Sequence, residues 1–205
     1  MSDLFNNDAS KASYGIGLQM GEQLKANPFE GLNLNSVFEG IKDGFTGAEF
    51  QVAIPEIQAA FEKINEEIQA RRDQEAQAMA AEGKAFLEDN AKRPEITVTP
   101  SGLQYEVIET GEGAKPAAES SVRVHYHGTL INGAVFDSSY ERGQPAEFPV
   151  NGVIRGWTEA LQMMAAGSKW RLYIPHELAY GERGAGASIA PYSTLVFDVE
   201  LLEVL

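Results

Sequence analysis

The periodicity of the apolar residues changes near Pro94, and this change constrains the fold more than any other feature. Before it, apolar side chains recur at spacings of three and four residues, the pattern of amphipathic helices. After about residue 100 they alternate with polar residues, the pattern of β-strands. Pro94 itself disfavours helical geometry at Arg93. The sequence therefore predicts an α+β chain, with an all-helical N-terminal part followed by an antiparallel sheet that packs on a short helix.

The first predicted helix has a face of small residues. Ser13, Gly17 and Gly21 lie four residues apart, so they share one face of the helix. A face without large side chains lets a second helix approach closely. The alternative is a poorly formed helix, because each interior glycine costs about 1 kcal/mol relative to alanine.

Two further helices follow. The second is predicted to begin at Ser36, which fits a capping box with Glu39, and to stop at Gly47. The third is predicted to begin at Pro55, since proline suits the first helical position, and to continue to about Lys92. Its middle is polar all round, which is typical of a spacer between domains.

These patterns divide the chain into a helical dimerisation domain (1–68), a spacer helix (69–93) and a sheet domain (94–205). Within the spacer, Gly83 is interpreted either as a hinge or as an ordinary surface glycine. A three-helix unit of this size buries too little surface to be stable alone, and a two-fold dimer is the commonest closed assembly. We therefore expect a homodimer through residues 1–68.

The net charge of −14 and the absence of cysteine exclude several classes of function. An acidic chain lacks the basic face that contacts phosphate groups, so nucleic-acid binding is not expected. Without cysteine there are no disulfides and no thiolate sites. No segment approaches the roughly 18–20 apolar residues of a membrane span, and no leader is visible at the N-terminus. Membrane association is not expected, and the expected location is the cytoplasm.

The C-terminal part lacks the motifs of covalent and metal catalysis. It has no Gly-x-Ser-x-Gly elbow, no phosphate-binding loop and no His-Glu-x-x-His. The glycine-rich segment 181–186 lacks a surrounding strand and helix, so a flexible loop is the preferred interpretation. His125 and His127 share one strand face and could bind a metal, but a third ligand is missing and ordinary strand histidines are favoured. No metal and no cofactor are expected.

Turn and strand signals outline the sheet domain. Strands are predicted at 103–108, 122–127, 170–174 and 194–202, and a short helix at about 153–164. Asn132-Gly133 lies between two strand-like segments and predicts a hairpin.

Six blocks of this domain resemble the FKBP-type peptidyl-prolyl isomerases in order and spacing, over about residues 100–205. The blocks are Val124-His-Tyr-His-Gly-Thr-Leu, Gly133-Ala-Val-Phe-Asp-Ser-Ser, Val153-Ile-Arg-Gly-Trp, Gly167-Ser-Lys-Trp, Leu178-Ala-Tyr-Gly and Thr194-Leu-Val-Phe-Asp-Val-Glu-Leu. The resemblance implies a bent antiparallel sheet wrapped over a short helix, with a pocket between them.

The N-terminal half is similar to a bacterial two-domain group of this family, the macrophage infectivity potentiator type. The similarity rests on Ser13-Tyr-Gly-Ile-Gly-Leu-Gln-Met-Gly followed by a long helix. It is closest to the cytoplasmic branch, whose mass of roughly 22 kDa this chain shares. The similarity implies a V-shaped homodimer with intertwined N-terminal helices.

The resemblance also implies which residues form the site. As catalytic residues it implies Phe136, Asp137, Trp157 and Tyr180. As substrate- or inhibitor-binding residues it implies Tyr126, Arg142, Phe148, Val153, Ile154, Ile189 and Phe197. Three positions depart from the common family pattern, Ala146 for phenylalanine, Gly152 for glutamate and Ala185 for histidine, which leaves inhibitor affinity open.

The expected function is therefore prolyl isomerisation in unfolded or partly folded polypeptides that contain proline, with chaperone-like gripping of clients by the dimer. Rapamycin-type macrolides are candidate inhibitors. In this interpretation Asp137 acts through its electric field, paired with Arg142 or Tyr126, and not as a general base. The alternative is a non-catalytic holdase or adaptor whose isomerase pocket is vestigial.

Overall fold

The computed structural model describes residues 5–26 and 28–205. The chain forms two compact units, Met1–Arg71 and Arg72–Leu205. The described part of the first unit is helical, and all the described strands lie in the second. None of the described helices is long and apolar enough to cross a membrane.

The helices of the first unit bury few of their own apolar side chains. Helix α1 spans Asp8–Ala26 and α2 spans Leu34–Thr46, and neither contains a buried residue. Phe45 is 91% exposed, and a Cβ at Gly17 or Gly21 would meet nothing within 4 Å. The apolar faces that the sequence predicts are therefore present, but within one chain they are uncovered.

Helix α2 begins earlier than the sequence predicts. The side-chain Oδ1 of Asn33 accepts hydrogen bonds from the backbone N–H groups of Asn35 (2.9 Å) and Ser36 (3.2 Å), so Asn33 is the N-cap. The predicted capping box of Ser36 and Glu39 is therefore wrong. The predicted stop at Gly47 is confirmed, since Gly47 has a φ of +69° and closes the helix as a left-handed cap.

Helix α3 is a single helix over Ile54–Asn90, which starts one residue before the predicted Pro55. Its residues from Arg72 onwards belong to the second unit. There Phe86 packs on Tyr173, with ring centroids 6.0 Å apart. The last turns of α3 thus lie against the sheet, where the sequence predicts a solvated spacer.

Gly83 and Asn90 are the buried residues of α3. A Cβ at Gly83 would lie 2.4 Å from Oγ1 of Thr194, so the glycine allows the helix to approach. Asn90 donates to the side chain of Gln104 (2.9 Å), which in turn donates to the carbonyl of Leu87 (2.9 Å). The interpretation of Gly83 as a surface glycine is therefore wrong, and its interpretation as a hinge stays a prediction.

Seven strands of the described residues form one antiparallel sheet. They are β1 (Thr97–Val98), β2 (Gln104–Glu109), β3 (Ser121–Leu130), β4 (Val135–Ser138), β5 (Ala146–Pro149), β6 (Lys169–Ile174) and β7 (Leu195–Val204). Their order is β1-β2-β6-β7-β3-β4, and β5 also pairs with β3. Irregular register within the β2–β6, β3–β4 and β3–β7 pairs marks β-bulges, which bend strands. The predicted α+β architecture is confirmed.

The predicted hairpin joins β3 to β4. Gly133 has a φ of +84° and donates to the carbonyl of Leu130 (2.9 Å), while the N–H of Leu130 donates to the carbonyl of Ala134 (2.9 Å). The loop therefore has three residues and a left-handed glycine, which suits the twist of a hairpin.

Helix α4 spans Arg155–Met163 and packs on one face of the sheet. It starts two residues later than predicted, so Val153 and Ile154 precede it and do not belong to its face. The core joins its buried side chains to those of the strands: Leu103, Val122, Val124, Trp157, Leu161, Met164, Leu172, Ile174, Leu195, Val199 and Leu201.

Candidate active site

A cavity of about 710 Å³ opens between α4, the neighbouring strands and the loop that follows β6. Its lining residues are Tyr126, Phe136, Asp137, Phe148, Gly152, Val153, Ile154, Trp157, Tyr180, Ala185, Gly186, Ser188, Ile189 and Phe197. Every site residue named from the sequence lines this cavity except Arg142. The structure thus gathers residues from four strands, one helix, the segment that precedes this helix and the loop after β6 into a single concave surface.

Trp157 forms the floor of the cavity. It lies in the first turn of α4 and is 3% exposed. Three rings meet it edge to face: Tyr126 at 5.3 Å, Phe148 at 6.0 Å and Phe197 at 5.2 Å between centroids. Edge-to-face pairs are worth about 0.5–1.5 kcal/mol each beyond their buried area, so these contacts stabilise the position of the indole. The indole Nε1 is buried and has no hydrogen-bond partner among the described residues.

Phe136 and Asp137 are consecutive residues of β4, and both line the cavity. Regular alternation would send their side chains to opposite faces of the sheet. The register explains the exception, because Gly128 pairs with Asp137 whereas Thr129 pairs with Val135. Phe136 is thus the extra residue of a β-bulge, which re-aims side chains.

A polar corner of three side chains closes one edge of the cavity. The hydroxyl of Tyr126 donates to Oδ2 of Asp137 (2.5 Å), and Nη2 of Arg142 donates to the Tyr126 hydroxyl (2.6 Å). Arg142 also contacts Oδ1 of Asp137 through Nη1. Arg142 does not line the cavity itself but contacts two residues that do, and Asp137 is paired with both of its predicted partners, Arg142 and Tyr126.

The electrostatics of this corner keep Asp137 ionised. Burial raises the pKa of Asp137, but the hydrogen bonds from Tyr126 and Arg142 outweigh it and hold the pKa below its usual value. Burial, and then the bond to Asp137, raise the pKa of the Tyr126 hydroxyl. A carboxylate with a lowered pKa is a poor proton acceptor at neutral pH. The corner can therefore supply a fixed charge, and it is poorly suited to proton transfer.

The rim of the cavity is formed by the loop after β6. Tyr180 is 41% exposed there, and burial is the main cause that raises the pKa of its hydroxyl. Of the three departures from the family pattern, Gly152 and Ala185 line the cavity, whereas Ala146 packs against the core. Gly186 and Ser188 also line the cavity and were not predicted, because an irregular loop has no periodicity that would place its residues.

The two strand histidines lie on the other face of β3. Nδ1 of His125 is 2.9 Å from Oγ of Ser139, and Nδ1 of His127 is 3.1 Å from Oγ of Ser138. Among residues 5–26 and 28–205, no three histidine or carboxylate side chains cluster in a way that could hold a metal ion. The histidines thus help to anchor the segment that follows Asp137.

Comparison with known proteins places both halves of the chain in one family. The family model described as "FKBP-type peptidyl-prolyl cis-trans isomerase" matches residues 112–202. A second, described as "Domain amino terminal to FKBP-type peptidyl-prolyl isomerase", matches residues 9–107. All six blocks recognised in the sequence lie within the first of these ranges.

Relatives match over nearly the whole chain. The "FKBP-type 22 kDa peptidyl-prolyl cis-trans isomerase" of Escherichia coli K12 is 57% identical over 201 residues, which cover 98% of each chain. The "Outer membrane protein MIP" of Legionella longbeachae is 42% identical over 96% of this chain and 86% of its own. The crystal structure of FkpA from Escherichia coli aligns with a TM-score of 0.74 at 38% identity and covers 98% of each chain. The chain therefore belongs to the family of FKBP-type peptidyl-prolyl cis-trans isomerases.

Proposed function

We propose that the aromatic cavity accelerates rotation about X-Pro bonds in folding polypeptides. Membership of a family of prolyl isomerases supports this activity. The observation that carries it is an open cavity with an aromatic floor and walls, in which the charged corner is built to remain ionised. Such a site can bind a proline ring, and it needs no covalent step to catalyse rotation.

Rotation about a prolyl bond is slow because it breaks amide resonance, with a barrier of about 18–20 kcal/mol. A catalyst has to bind the twisted amide better than either planar form. The planar amide is stabilised by charge separation, which water solvates well. An apolar cavity removes that solvation, and the twisted amide, which is less polar along its C–N bond, loses less by the transfer.

Several of the lining residues have distinct roles in this scheme. Trp157 supports the proline ring from below, while Phe136 and Phe197 hold it from the sides. The backbone N–H of Ile154, which makes no hydrogen bond to any described residue, orients the substrate together with the hydroxyl of Tyr180. Val153 completes the apolar wall.

Asp137 contributes a fixed negative charge beside the carbonyl group that turns. Its hydrogen bonds to Tyr126 and Arg142 hold the carboxylate in one orientation, so little reorganisation is needed when the amide twists.

The two tryptophans of the chain provide a matched test of this site. Trp157 lines the cavity, whereas Trp170 is also buried but stacks on Tyr105, with centroids 4.3 Å apart, and does not line it. Trp157→Phe should slow the isomerisation of a short proline peptide and the proline-limited refolding of a protein, and Trp170→Phe should not. An unchanged rate for Trp157→Phe would remove that residue from the site.

Self-association and client binding belong to the same proposal. The uncovered apolar faces of α1 and α2 support a homodimer through residues 1–68. Exposed apolar side chains outside these two helices, such as Phe50, Ile54 and Phe61, support chaperone-like gripping of unfolded clients. Gripping raises the effective concentration of proline bonds at the cavity. The fragment Arg72–Leu205 should therefore be monomeric in sedimentation and should match the full chain on a short peptide but not on a protein substrate. If the fragment were as active as the full chain on the protein substrate as well as on the peptide, gripping would be rejected.

Two further expectations remain predictions. Rapamycin-type macrolides should compete with proline peptides, because the cavity offers the same aromatic floor to any ring of similar shape. An inhibition titration checks this, and the absence of larger side chains at Gly152 and Ala185, which both line the cavity, will influence the affinity. The expected cytoplasmic location is checked by fractionation of cells that produce the protein.

A further inference from the structure

Strand β3 carries a glycine where its neighbours on the same face carry large buried side chains. Val122, Val124 and Tyr126 point to the interior of the domain, and Gly128 occupies the next inward position. The φ of Gly128 lies outside the left-handed region that favours glycine. The backbone would therefore accept any residue at this position, and the reason for glycine has to be steric.

The volume next to Gly128 is filled by two rings of the cavity wall. A Cβ at this position would lie 2.7 Å from Cε1 of Phe197 and 2.8 Å from Cε2 and Cζ of Phe136. These distances are well below van der Waals contact, so the rings would have to move. Gly128 pairs with Phe197 on one side and with Asp137 on the other, so it lies between the two strands that carry these cavity residues.

The surroundings decide which ring would give way. Phe197 is 5% exposed and is enclosed by Trp157 (5.2 Å), Tyr126 (6.4 Å) and Phe136 (5.3 Å). Phe136 is only half-buried and borders the open cavity. A side chain on Gly128 would therefore push Phe136 away from the strand and into the space that the substrate ring needs.

We propose that Gly128 sets the width of the proline slot and is a positioning residue for catalysis. It acts through Phe136 and Phe197, whose edges rest on the bare backbone of β3. This inference rests on the proposed function of the cavity, and it adds a residue that does not itself line the cavity to those that determine its shape.

A double-mutant cycle tests the proposal in the full-length chain. Gly128→Ala should lower kcat/KM for a short proline peptide by about tenfold or more, since a displacement of about 1 Å can cost 100-fold. Phe136→Leu lowers kcat/KM by itself but removes the ring that blocks the slot. In the Phe136→Leu background, Gly128→Ala should then cost less than about threefold, because the two changes are coupled.

Gly83→Ala is the matched control, because it forces a methyl group against a buried side chain away from the cavity. It should leave kcat/KM within about twofold at temperatures well below unfolding, whatever it does to stability. The proposal would be overturned if Gly128→Ala were as active as the wild type. It would also be overturned if Gly128→Ala lowered kcat/KM by the same factor in the Phe136→Leu background as in the wild type.

Folding of the variants is followed by thermal unfolding. If Gly128→Ala does not fold, the double variant with Phe136→Leu should recover the fold, and a double variant that is no more stable would overturn the proposal. A wild-type chain without isomerase activity would refute the proposed function instead. The proposal about slot width is then tested by macrolide binding to the inactive chain. Gly128→Ala should lower the affinity for a macrolide that fills the slot, and an unchanged affinity would overturn the proposal.

Discussion

The contact between Gly83 and Thr194 allows a quantitative test of how α3 docks on the sheet. In Gly83→Ala, the new Cβ would lie 2.4 Å from Oγ1 and 3.2 Å from Cβ of Thr194. To restore ordinary contact, the two elements have to separate by about 1 Å. Overpacking of this kind costs about 1–3 kcal/mol, while alanine gains about 1 kcal/mol over glycine within a helix. The net change should be a loss of up to about 2 kcal/mol in the free energy of unfolding.

Thr194→Ala removes the closest atom and should reverse the sign. The nearest remaining atom is the Cβ at 3.2 Å, which a shift of a few tenths of an ångström relieves. In this background Gly83→Ala should be neutral or should stabilise by up to about 1 kcal/mol. The coupling energy between the two positions should therefore be about 1–3 kcal/mol.

Urea unfolding followed by tryptophan fluorescence measures these changes in the full-length chain. Both tryptophans, Trp157 and Trp170, lie in the second unit, so the signal reports on that unit. Ala85→Gly is the matched control, because Ala85 is an exposed residue of the same helix. It should cost about 1 kcal/mol in either background. If Gly83→Ala stabilises the wild type as much as it stabilises Thr194→Ala, the helix does not dock in the way described.

Three further predictions follow from the contacts of the second unit. Asp137 has a folded-state pKa below its ordinary 3.8, so its contribution to stability is fully present above that value and is lost as the pH falls through the folded-state pKa. Asp137→Asn should therefore flatten the loss of stability in urea titrations as the pH falls below 3.8, and an unchanged slope would contradict this. Ser139→Ala should cost about 1–3 kcal/mol in the same assay, because the fully buried hydroxyl accepts from the N–H of Tyr126 (2.8 Å), and a loss below about 0.5 kcal/mol would argue against that bond. A fragment that starts at residue 95 should be less stable than Arg72–Leu205 by about 2 kcal/mol or more, because it lacks the docked turns of α3; equal unfolding midpoints would disprove that docking matters.

The sheet and the cavity could largely be anticipated from the sequence. Alternating apolar and polar residues predict the strands. The order and spacing of the motifs align Tyr126, Trp157 and Phe197 with a known family. Alternation alone would have placed Phe136 and Asp137 on opposite faces of the sheet. Their shared face depends on the bulge opposite Gly128, which has no periodic signal. Only the family resemblance supplied that part of the site.

The docking of α3 could not be anticipated, for a physical reason. Apart from Phe86, its contact with the sheet uses a glycine, Gly83, and a buried amide pair, Asn90 with Gln104. Helix prediction detects interior faces by their apolar side chains, so a face made of glycine and asparagine is indistinguishable from a solvated one. Recognition of it would require knowledge of the partner surface on the sheet.

The cap of α2 shows a similar limit on a smaller scale. Asn33, Asn35 and Ser36 all belong to residue types that cap helices well. The composition of this segment therefore indicates a helix start but does not select among neighbouring positions. The backbone geometry of the preceding turn makes the choice.

The sheet order has a consequence for how the second unit is assembled. Strand β7 is the last of the described strands in sequence, yet it lies between β6 and β3 and pairs with both. Until β7 is in place, the β1-β2-β6 and β3-β4-β5 portions of the sheet each keep an open edge, and open edges invite pairing with other chains. Pairing between such distant segments is intrinsically slow. We therefore expect this chain to be prone to aggregation during folding, until β7 joins the two portions of the sheet.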